Sequence, residues 1–459
     1  MQYKNHSSAS GFLLCFPKAF QLFVFTPRHF CCIMMVSNNV GWQVVLVARG
    51  GEYMNVFKKM WCRVFQAGLY VGMAFMPWRQ PKLLQGANSF ANAVDFMQQN
   101  GAKRPLIVCD KPALARGALQ PFFQKAQGVL KYAVYDGVLP NPTVNQVEEG
   151  LAIYLANNCD SILAFGGGSA MDCAKAIGAR VVRPRKSVNK MKGLLKVCKK
   201  LPPFFAVPTT AGTGSECTVA AVITDSDTHD KYAINDFSLI PHYAILDETL
   251  TVGLPPMLTA TTGMDALTHA VEAYTNHANT KATKRQAEEA VRLIFENLKE
   301  ATLNGTNLTA RANMQKAAYL AGLAFTRGYV GYVHALAHAL GGKYGTPHGL
   351  ANAVLLPYVL KKFGKSAHKR LAKLARLVGV ATDNDSNEVS ANKFILAIEG
   401  LNADCGIPAK LHIDGLESWQ LSKLAIHAEK EANPLYPVPK LMSAKDLVGI
   451  YFEAIENAM

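Results

Sequence analysis

The residues best suited to metal chemistry lie in the second half of the chain, where a carboxylate and several histidines recur at helical spacing. Asp265 and His269 are four residues apart, so on a helix both side chains project from one face. His334 and His338 repeat that spacing, and His348 follows soon afterwards. One carboxylate with neutral imidazoles suits zinc, ferrous iron and related divalent ions. We therefore predict a metal site, although spacing does not decide which three of the four histidines bind the ion.

Each of these pairs also has a purely structural interpretation. An isolated Asp-x-x-x-His is often a surface pair or a helix cap, and an isolated His-x-x-x-His on an apolar helix is more often two core histidines. Here four histidines occur together, near small residues that leave space around them. Their coincidence favours metal binding.

A run of glycines is a candidate for binding the phosphates of a nucleotide. Gly166, Gly167 and Gly168 end an apolar run and precede Ser169 at the start of a helical stretch. Glycines let the backbone approach a pyrophosphate, and a helix N-terminus offers free N–H groups and a positive dipole. Ser169 and Asp172 have the spacing of an N-cap and a third helical residue. The alternative is a tight turn that binds nothing, because the run is not the GxGxxG pattern.

Two further segments are expected to lie beside these glycines. The loop 208–216 (PTTAGTGSE) follows an apolar strand and is rich in hydroxyls and small residues, which suits contacts with adenosine or nicotinamide groups. Asp110 ends another strand, where a carboxylate accepts both hydroxyls of a ribose and repels a 2′-phosphate, so NAD is preferred over NADP. The alternatives are an ordinary polar connection for the loop and an N-cap before Lys111-Pro112 for Asp110.

The segments that carry these loops alternate between short apolar runs and helical stretches. We predict strands at 106–110, 132–136, 161–168, 204–210, 220–225 and 242–248. A helix over 143–157 begins with a capping box between Thr143 and Gln146. Strand, helix and strand in series indicate a parallel sheet covered on both faces. After Pro255-Pro256 the periodicity is helical, which predicts a separate all-helical domain.

The chain therefore divides into three parts. Residues 66–253 are predicted to form an α/β dinucleotide-binding domain and residues 254–459 an all-α metal-binding domain. Residues 1–65 form an N-terminal extension to which we assign no role. Its apolar run, GFLLCFPKAFQLFVF, is cut by Pro17 and Lys18 into pieces too short to span a bilayer, and it lacks a signal-peptide cleavage site. A misassigned start is one interpretation of this extension.

Composition narrows the possible partners. The formal net charge is +15, but the densest basic run, residues 180–200, has no interleaved aromatic residues and is interpreted as a solvated connector. Ten cysteines without a repeated CxxC spacing indicate reduced thiols in the cytoplasm. We expect a small-molecule substrate and neither a nucleic-acid nor a membrane partner.

Five motifs in series resemble the iron-containing (group III) alcohol dehydrogenases, the family of lactaldehyde reductase, butanol dehydrogenase and 1,3-propanediol dehydrogenase. The motifs are YDGVLPNPTVNQVEEG, GGGSAMDCAKAIGA, VPTTAGTGSE, DALTHAVEAY and HALAHALGGKYGTPHG. The resemblance runs from about Met76 to the C-terminus. It implies a dehydroquinate synthase-like architecture, with the active site between the two domains, and a homodimer or higher homo-oligomer.

The resemblance also implies roles for individual residues. By motif position, Asp265, His269, His334 and His348 match the metal ligands, with Fe(II) favoured and zinc as the alternative, and His338 matches a histidine near the nicotinamide that relays a proton. The positions that match NAD contacts are Asp110, Asn141, Gly167, Gly168, Ser169, Asp172, Thr209, Thr210, Thr213 and Lys231. Ala339 departs from the family, which often has Pro there, but this change removes no ligand.

The implied activity is reversible hydride transfer between NAD(H) and an alcohol or aldehyde, with the metal polarising the substrate oxygen. The nearest alternative is a zinc-dependent glycerol dehydrogenase or another polyol dehydrogenase on the same fold. A dehydroquinate synthase fits less well, because its phosphate-binding basic residues are not evident. A binding or assembly protein without turnover is disfavoured by the intact ligand set.

Overall fold

The computed structural model describes residues 56–227 and 231–456, together with Met54 and the backbone of four strands near the N-terminus. Each of these strands pairs antiparallel with the next along the chain. They are β1 (Cys15–Phe16), β2 (Ala19–Thr26), β3 (His29–Asn38) and β4 (Gly41–Val47).

A six-stranded, fully parallel sheet organises the first half of the remaining chain. Its strands are β5 (Lys82–Gln85), β6 (Pro105–Val108), β7 (Ala133–Tyr135), β8 (Ser161–Gly166), β10 (Phe204–Pro208) and β13 (Tyr243–Leu246), in the spatial order β5-β13-β10-β8-β6-β7. Strands β6, β8 and β10 are buried along their whole length, as expected for continuous apolar runs covered on both faces. The predicted parallel sheet is confirmed.

Three short strands form a second sheet beside the first. They are β9 (Gly193–Leu194), β11 (Ala220–Thr224) and β12 (Lys231–Asn235), in the order β11-β12-β9. The strand predicted at 220–225 exists, but it pairs antiparallel with β12 and does not join the parallel sheet. Apolar content alone does not distinguish the two sheets.

Helix α1 (Val56–Ala74) precedes the parallel sheet, and its Arg63 and Gln66 donate hydrogen bonds to carbonyl oxygens of residues 434–439 in the helical half. Further helices cover the parallel sheet and connect its strands. They are α2 (Ala93–Gln99), α3 (Lys111–Ala115), α4 (Gln120–Ala126), α5 (Val144–Ala156) and α6 (Gly168–Val182), with 3₁₀ turns at Asn189–Met191, Ser215–Cys217, Phe237–Leu239 and Glu248–Thr251. The capping box of α5 is confirmed, because Gln146 N–H donates to Thr143 Oγ1 and Thr143 N–H donates to Gln146 Oε1.

The predicted cap of α6 is wrong. The N-cap residue is Gly167, and no side chain caps the helix. Gly166 ends β8 with φ +145°, so the helix starts at once and Ser169 falls inside its first turn. The N–H groups at this helix start therefore have no side-chain cap.

The second half of the chain is helical, and no strand occurs among its described residues after Leu246. Its helices are α7 (Pro256–Thr275), α8 (Lys281–Leu303), α9 (Leu308–Gly328), α10 (Tyr332–Tyr344), α11 (His348–Phe363), α12 (Lys365–Leu377), α13 (Asn387–Asp404), α14 (Ser418–Ala432) and α15 (Ala444–Ala454). Small and apolar residues surround α7 on all sides, so it is almost wholly buried at the centre of this half. Of the helices in the described ranges, none has the length and apolar character to cross a bilayer.

Candidate metal and cofactor site

Three helices bring the predicted metal ligands together. Asp265 lies on the buried α7, His334 lies on α10, and His348 is the first residue of α11. Asp265 Oδ1 is 3.7 Å from His334 Nε2 and 3.4 Å from His348 Nε2. One potential ligand atom from each of the three residues lies within 4.8 Å of the other two.

The turn between α10 and α11 places His348 against α7. Gly345, in the left-handed region at φ +67°, ends α10, and Pro347 precedes α11. A Cβ at Gly349 would lie 2.5 Å from the carbonyl oxygen of Thr261, so only glycine lets the start of α11 approach α7 this closely. The sequence TPHG thus sets the position of His348.

His269 lies beside the three grouped residues. Its ring stacks on His334 with centroids 4.4 Å apart, and on Phe325 at 4.1 Å. Its nitrogens are outside the 4.8 Å group, but its Nδ1 is buried with no hydrogen-bond partner. The structure therefore places the predicted fourth ligand next to the site with a free nitrogen.

Two residues that the sequence analysis missed form hydrogen bonds with the predicted ligands. Glu272 Oε2 lies 2.6 Å from His334 Nδ1, and its carboxylate also accepts the N–H groups of Gly331 and Val333. Asn352 donates its amide to Asp265 Oδ1 at 2.7 Å. Glu272 is seven residues after Asp265 and thus on the same helix face, which is a signal that sequence could have supplied.

The charges of these residues depend on one another. Burial alone raises the pKa of Asp265, but His269, His348 and His334 hold it well below its usual range. Burial lowers the pKa of His269 to about 3 and that of His348, part of whose ring is open to solvent, to about 4. Burial also acts to lower the pKa of His334, but Glu272 and Asp265 outweigh it and raise the value to about 9.

This donor set fits a divalent metal ion. His334 Nε2 is buried and has no hydrogen-bond partner, while its Nδ1 faces Glu272, the arrangement that orients an imidazole for ligation. Asp265 and Glu272 contribute one negative charge each when ionised, so one divalent cation balances both once the imidazoles are neutral. An incoming ion would displace the proton from His334.

His338 lies at the edge of the same group. Its ring stacks on His348 with centroids 5.2 Å apart, and 37% of its side chain is exposed. Its Nδ1 lies 2.7 Å from Glu431 Oε1, which also accepts the hydroxyl of Tyr436. Glu431 thus fixes the orientation of the ring and leaves Nε2 free of this interaction.

The glycine-rich loops meet at the carboxyl edge of the parallel sheet. Strands β8 and β10 are neighbours, and Gly166 at the end of one pairs with Pro208 at the end of the other. Thr210 and Thr213 lie beside Gly167 and Gly168, so closely that a Cβ at Gly168 would be 3.0 Å from the Thr213 methyl. The two loops predicted to bind the nucleotide therefore form one surface.

The topology marks this edge as a ligand site. The chain passes from β6 outward to β7 and then returns to β8 on the other side of β6. Ligands of open parallel sheets bind at the carboxyl ends of strands where the order reverses in this way. Asp110 follows β6 and the glycine run follows β8, so both lie at this point.

The other predicted cofactor residues occupy varied positions. Asp110 accepts the N–H of Ala113 at 2.6 Å, so the alternative N-cap interpretation is correct for one of its oxygens. Asn141 has φ +60°, and Thr209 follows the end of β10. Lys231 Nζ lies 3.4 Å from the carbonyl oxygen of Gly341 on α10, so it reaches from the small sheet to the helix that carries His334.

Asp172 faces the second loop. Its carboxylate accepts Ser215 Oγ–H and the N–H of Val222, each at 3.0 Å. Burial raises its pKa, while Lys175 and these donors oppose the shift. Through these hydrogen bonds Asp172 joins α6 to the segment after β10.

Lys175 is a further residue that the sequence analysis missed. Its Nζ is fully buried and donates to Ser215 Oγ, Thr218 Oγ1, and the carbonyl oxygens of Thr218 and Ala220, at 2.9 to 3.2 Å. Burial lowers its pKa to about 8. A lysine within an apolar helix is normally interpreted as surface-exposed, so the sequence alone does not indicate that Lys175 is buried.

The loop 208–216 also contacts the helical half directly. A Cβ at Gly214 would lie 2.7 Å from Gly322 Cα on α9, and a Cβ at Gly212 would lie 2.7 Å from Thr262 Cβ on α7. Gln315 donates to the carbonyl oxygens of Pro208 and Asp247. The loop 208–216 is thus packed against α7, which carries Asp265 and His269, and against α9.

Comparison with known proteins identifies two matching family models. Residues 80–248 match the model described as iron-containing alcohol dehydrogenase. Residues 259–455 match the C-terminal model of the Fe-containing alcohol dehydrogenase family. Together the models cover both the parallel sheet and the helical half.

Individual relatives agree with these models. The 1,3-propanediol dehydrogenase of Klebsiella pneumoniae is 39% identical over 372 residues, covering 80% of this chain and 96% of that protein. The NAD-dependent methanol dehydrogenase of Bacillus methanolicus is 36% identical, covering 79% and 94%. The structure of sulfoacetaldehyde reductase from Bifidobacterium kashiwanohense in complex with NAD+ superposes with a TM-score of 0.74 at 30% identity, covering 83% and 99%.

Proposed function

Because this chain belongs to the iron-containing alcohol dehydrogenase family, we propose that Asp265, His269, His334 and His348 hold its metal ion. The chain is an NAD-dependent alcohol dehydrogenase. The observation that supports this ligand set is the buried Nε2 of His334, which lacks a partner beside Asp265 and is backed by Glu272. A bound divalent ion supplies Lewis acidity to an alcohol or aldehyde oxygen, and NAD supplies the hydride acceptor.

The nucleotide-facing residues position the cofactor. Gly167, Gly168 and Ser169 present uncapped N–H groups of α6, which suit a pyrophosphate. Asp110 presents its second oxygen to a ribose, and this carboxylate selects NAD over NADP. The remaining proposed contacts are Asn141, Asp172, Thr209, Thr210, Thr213 and Lys231.

His338 is proposed to move the proton that accompanies hydride transfer. Its Nδ1 is held by Glu431, so the proton enters and leaves at Nε2. Its ring is partly exposed, which gives the proton access to water. A neutral imidazole can accept a proton from an alcohol during oxidation and return one during carbonyl reduction.

Iron is the ion we propose, and zinc is the alternative that the same donors accept. All seven cysteines whose side chains the structure describes are unpaired, which supports the cytoplasm as the compartment. We further propose that the enzyme is a homodimer or higher homo-oligomer.

Metal analysis of ligand variants tests the proposal. His334→Ala and His348→Ala should each lose the ion, and alcohol-dependent formation of NADH should fall by about 10³-fold or more. The matched control is His412→Ala, since His412 is an exposed histidine on the surface. Purified enzyme is stripped with a chelator, reloaded with Fe(II) or Zn(II), and assayed with primary alcohols and diols. A fully loaded and active His334→Ala enzyme would show that the ligand assignment is wrong.

A further inference from the structure

Helix α1 is bonded to the helical half, although it lies before the residues that the family models match. The Arg63 guanidinium and the buried Gln66 amide both donate to one stretch of backbone, residues 434–439 (PLYPVP), which we call the proline segment. Arg63 also donates to Gln66 Oε1 at 2.8 Å, so the two side chains hold each other. Four carbonyl oxygens of the segment accept these donors at 2.8 to 3.2 Å: those of Pro434, Tyr436, Val438 and Pro439.

The proline segment depends on donors from other parts of the chain. It lies between α14 and α15 in no helix or strand, and three of its six residues are prolines, which have no N–H group. A buried carbonyl oxygen costs free energy when it lacks a partner. Arg63 and Gln66 supply four such bonds, and the N–H of His277 donates to the carbonyl oxygen of Pro437. Because hydrogen bonds are directional, these contacts fix the path of the segment.

The side chain of Tyr436 connects the proline segment with the active site. Its hydroxyl donates to Glu431 Oε1 at 2.9 Å, and the same oxygen lies 2.7 Å from His338 Nδ1. Burial raises the pKa of Glu431, but His338 and Tyr436 outweigh it and hold the pKa below its usual range. The ionised carboxylate accepts a proton of the ring at Nδ1, which leaves the lone pair of the neutral imidazole at Nε2.

We propose that α1 is a positioning element for proton transfer, because its Arg63 and Gln66 fix the segment whose Tyr436 holds Glu431 against His338. The inference rests on the proposed role of His338 as the proton carrier. A proton carrier works only when its ring nitrogen lies within hydrogen-bond reach of the proton it moves. The sequence analysis assigned no role to residues 1–65, and this proposal gives one to Arg63.

A substitution at Gln66 tests the proposal in the full chain. Gln66→Leu keeps the size of the side chain but removes its donors, so the rate of NADH formation in a single turnover should fall by about 5- to 20-fold. Metal content and the Kd for NAD, measured by fluorescence titration, should stay at the parent values. The matched control is Gln98→Leu, because Gln98 is exposed on α2 and its amide also donates to a carbonyl oxygen, that of Val129.

Two further variants separate positioning from general stabilisation. Tyr436→Phe keeps the contacts of α1 and removes only the hydroxyl that holds Glu431, so it should lower the single-turnover rate as Gln66→Leu does. In a His338→Ala background, Gln66→Leu should change the rate by less than about twofold, because both substitutions disable the same proton carrier. A helix that only stabilised the fold would lower the rate equally with and without His338.

Three outcomes would overturn the proposal. One is a parent rate in both Gln66→Leu and Tyr436→Phe while His338→Ala loses about 10²-fold, because α1 would then not act on His338. Another is an equal loss from Gln66→Leu in the presence and absence of His338. The third is a parent rate in His338→Ala, which would contradict the proposed function and this inference with it. If Gln66→Leu does not fold, Arg63→Met is judged by the same criteria.

Discussion

The candidate metal site and the candidate cofactor edge are built from different parts of the polypeptide. The metal site would consist of side chains on α7, α10 and α11, and other side chains orient some of its proposed ligands, as Glu272 does His334. The cofactor edge consists largely of backbone and small residues, such as Gly168 opposite Thr213. A site built from side chains should lose its function when one of those side chains is replaced. A site built from backbone should tolerate many side-chain replacements, provided that the backbone conformation and the nearby charges are kept. The following substitutions test this contrast, beginning with the largest expected effect.

Replacement of His338 should separate metal binding from proton transfer. His338→Ala removes the proposed proton carrier but none of the proposed ligands, so kcat should fall by about 10²-fold while metal content stays at the parent level. Metal analysis and steady-state rates of NADH formation measure the two quantities. Loss of the ion from this variant would place His338 among the ligands and reopen the choice that spacing left undecided.

Neutralising Glu272 should weaken metal binding without removing a ligand. Glu272 accepts the Gly331 N–H at Oε2 and the Val333 N–H at Oε1, so the single amide oxygen of Glu272→Gln can keep only one of these bonds, and the negative charge next to His334 Nδ1 is lost. Metal affinity should fall by about 10- to 100-fold. Competition with a chelator measures this, with the exposed Glu296→Gln as the control. Unchanged affinity would mean that Glu272 has only a structural role.

Asp110→Asn should reduce the preference for NAD by about tenfold, because asparagine caps a helix as well as aspartate does but does not repel a 2′-phosphate. The measurement is the ratio of kcat/KM for NAD and NADP. Asp110→Ala, which removes both the cap and the charge, is the comparison that separates stability from selectivity. An unchanged ratio in Asp110→Asn would rule out the ribose contact.

Glu216 in the second loop provides an effect on stability and not on activity. Burial raises its pKa from the usual 4.5 to about 7. The folded state therefore holds this proton more tightly than the unfolded state, and its contribution to stability is complete below about pH 4.5 and is lost as pH rises through 7. Relative to the parent, Glu216→Gln should gain up to about 3 kcal/mol of stability across that interval.

Thermal unfolding at about pH 5 and about pH 8 measures the effect of Glu216→Gln. The midpoint difference between variant and parent should be larger at the higher pH. The control is Glu388→Gln, because Glu388 is exposed and should show no such trend. A difference that is the same at both pH values would show that Glu216 does not titrate differently on folding.

Local patterns in the sequence predicted much of this molecule. Continuous apolar runs predicted five strands of the parallel sheet, and the Thr143–Gln146 spacing predicted a capping box. The candidate metal site was recognisable because Asp265 and His269 share one helical spacing and His334 and His338 repeat it, although spacing did not choose among the histidines. Strand β5 was missed, since KLLQ is too short and too mixed to have a clear period.

Features that depend on contacts between distant segments could not be predicted. Lys175 is buried only because the segment 215–220 supplies four acceptors around its Nζ. The predicted cap at Ser169 failed because the conformation of Gly166 decided where α6 begins. Helix α1 spans Val56–Ala74 and so crosses the domain boundary predicted at residue 65. Its polar side chains have partners far along the chain, as Lys58 has in Glu429, and such contacts leave no local signal in the sequence.

The loop 208–216 is held on two sides. Lys175 and Asp172 of α6 hydrogen-bond to its Ser215, and its Gly214 packs closely on Gly322 of α9. Its backbone is therefore ordered before any nucleotide arrives, and binding NAD loses little conformational entropy of the protein there. The entropy change of cofactor binding should then come mainly from immobilising NAD and releasing water. If the enzyme closes around its cofactor during turnover, we expect segments other than the loop 208–216 to move.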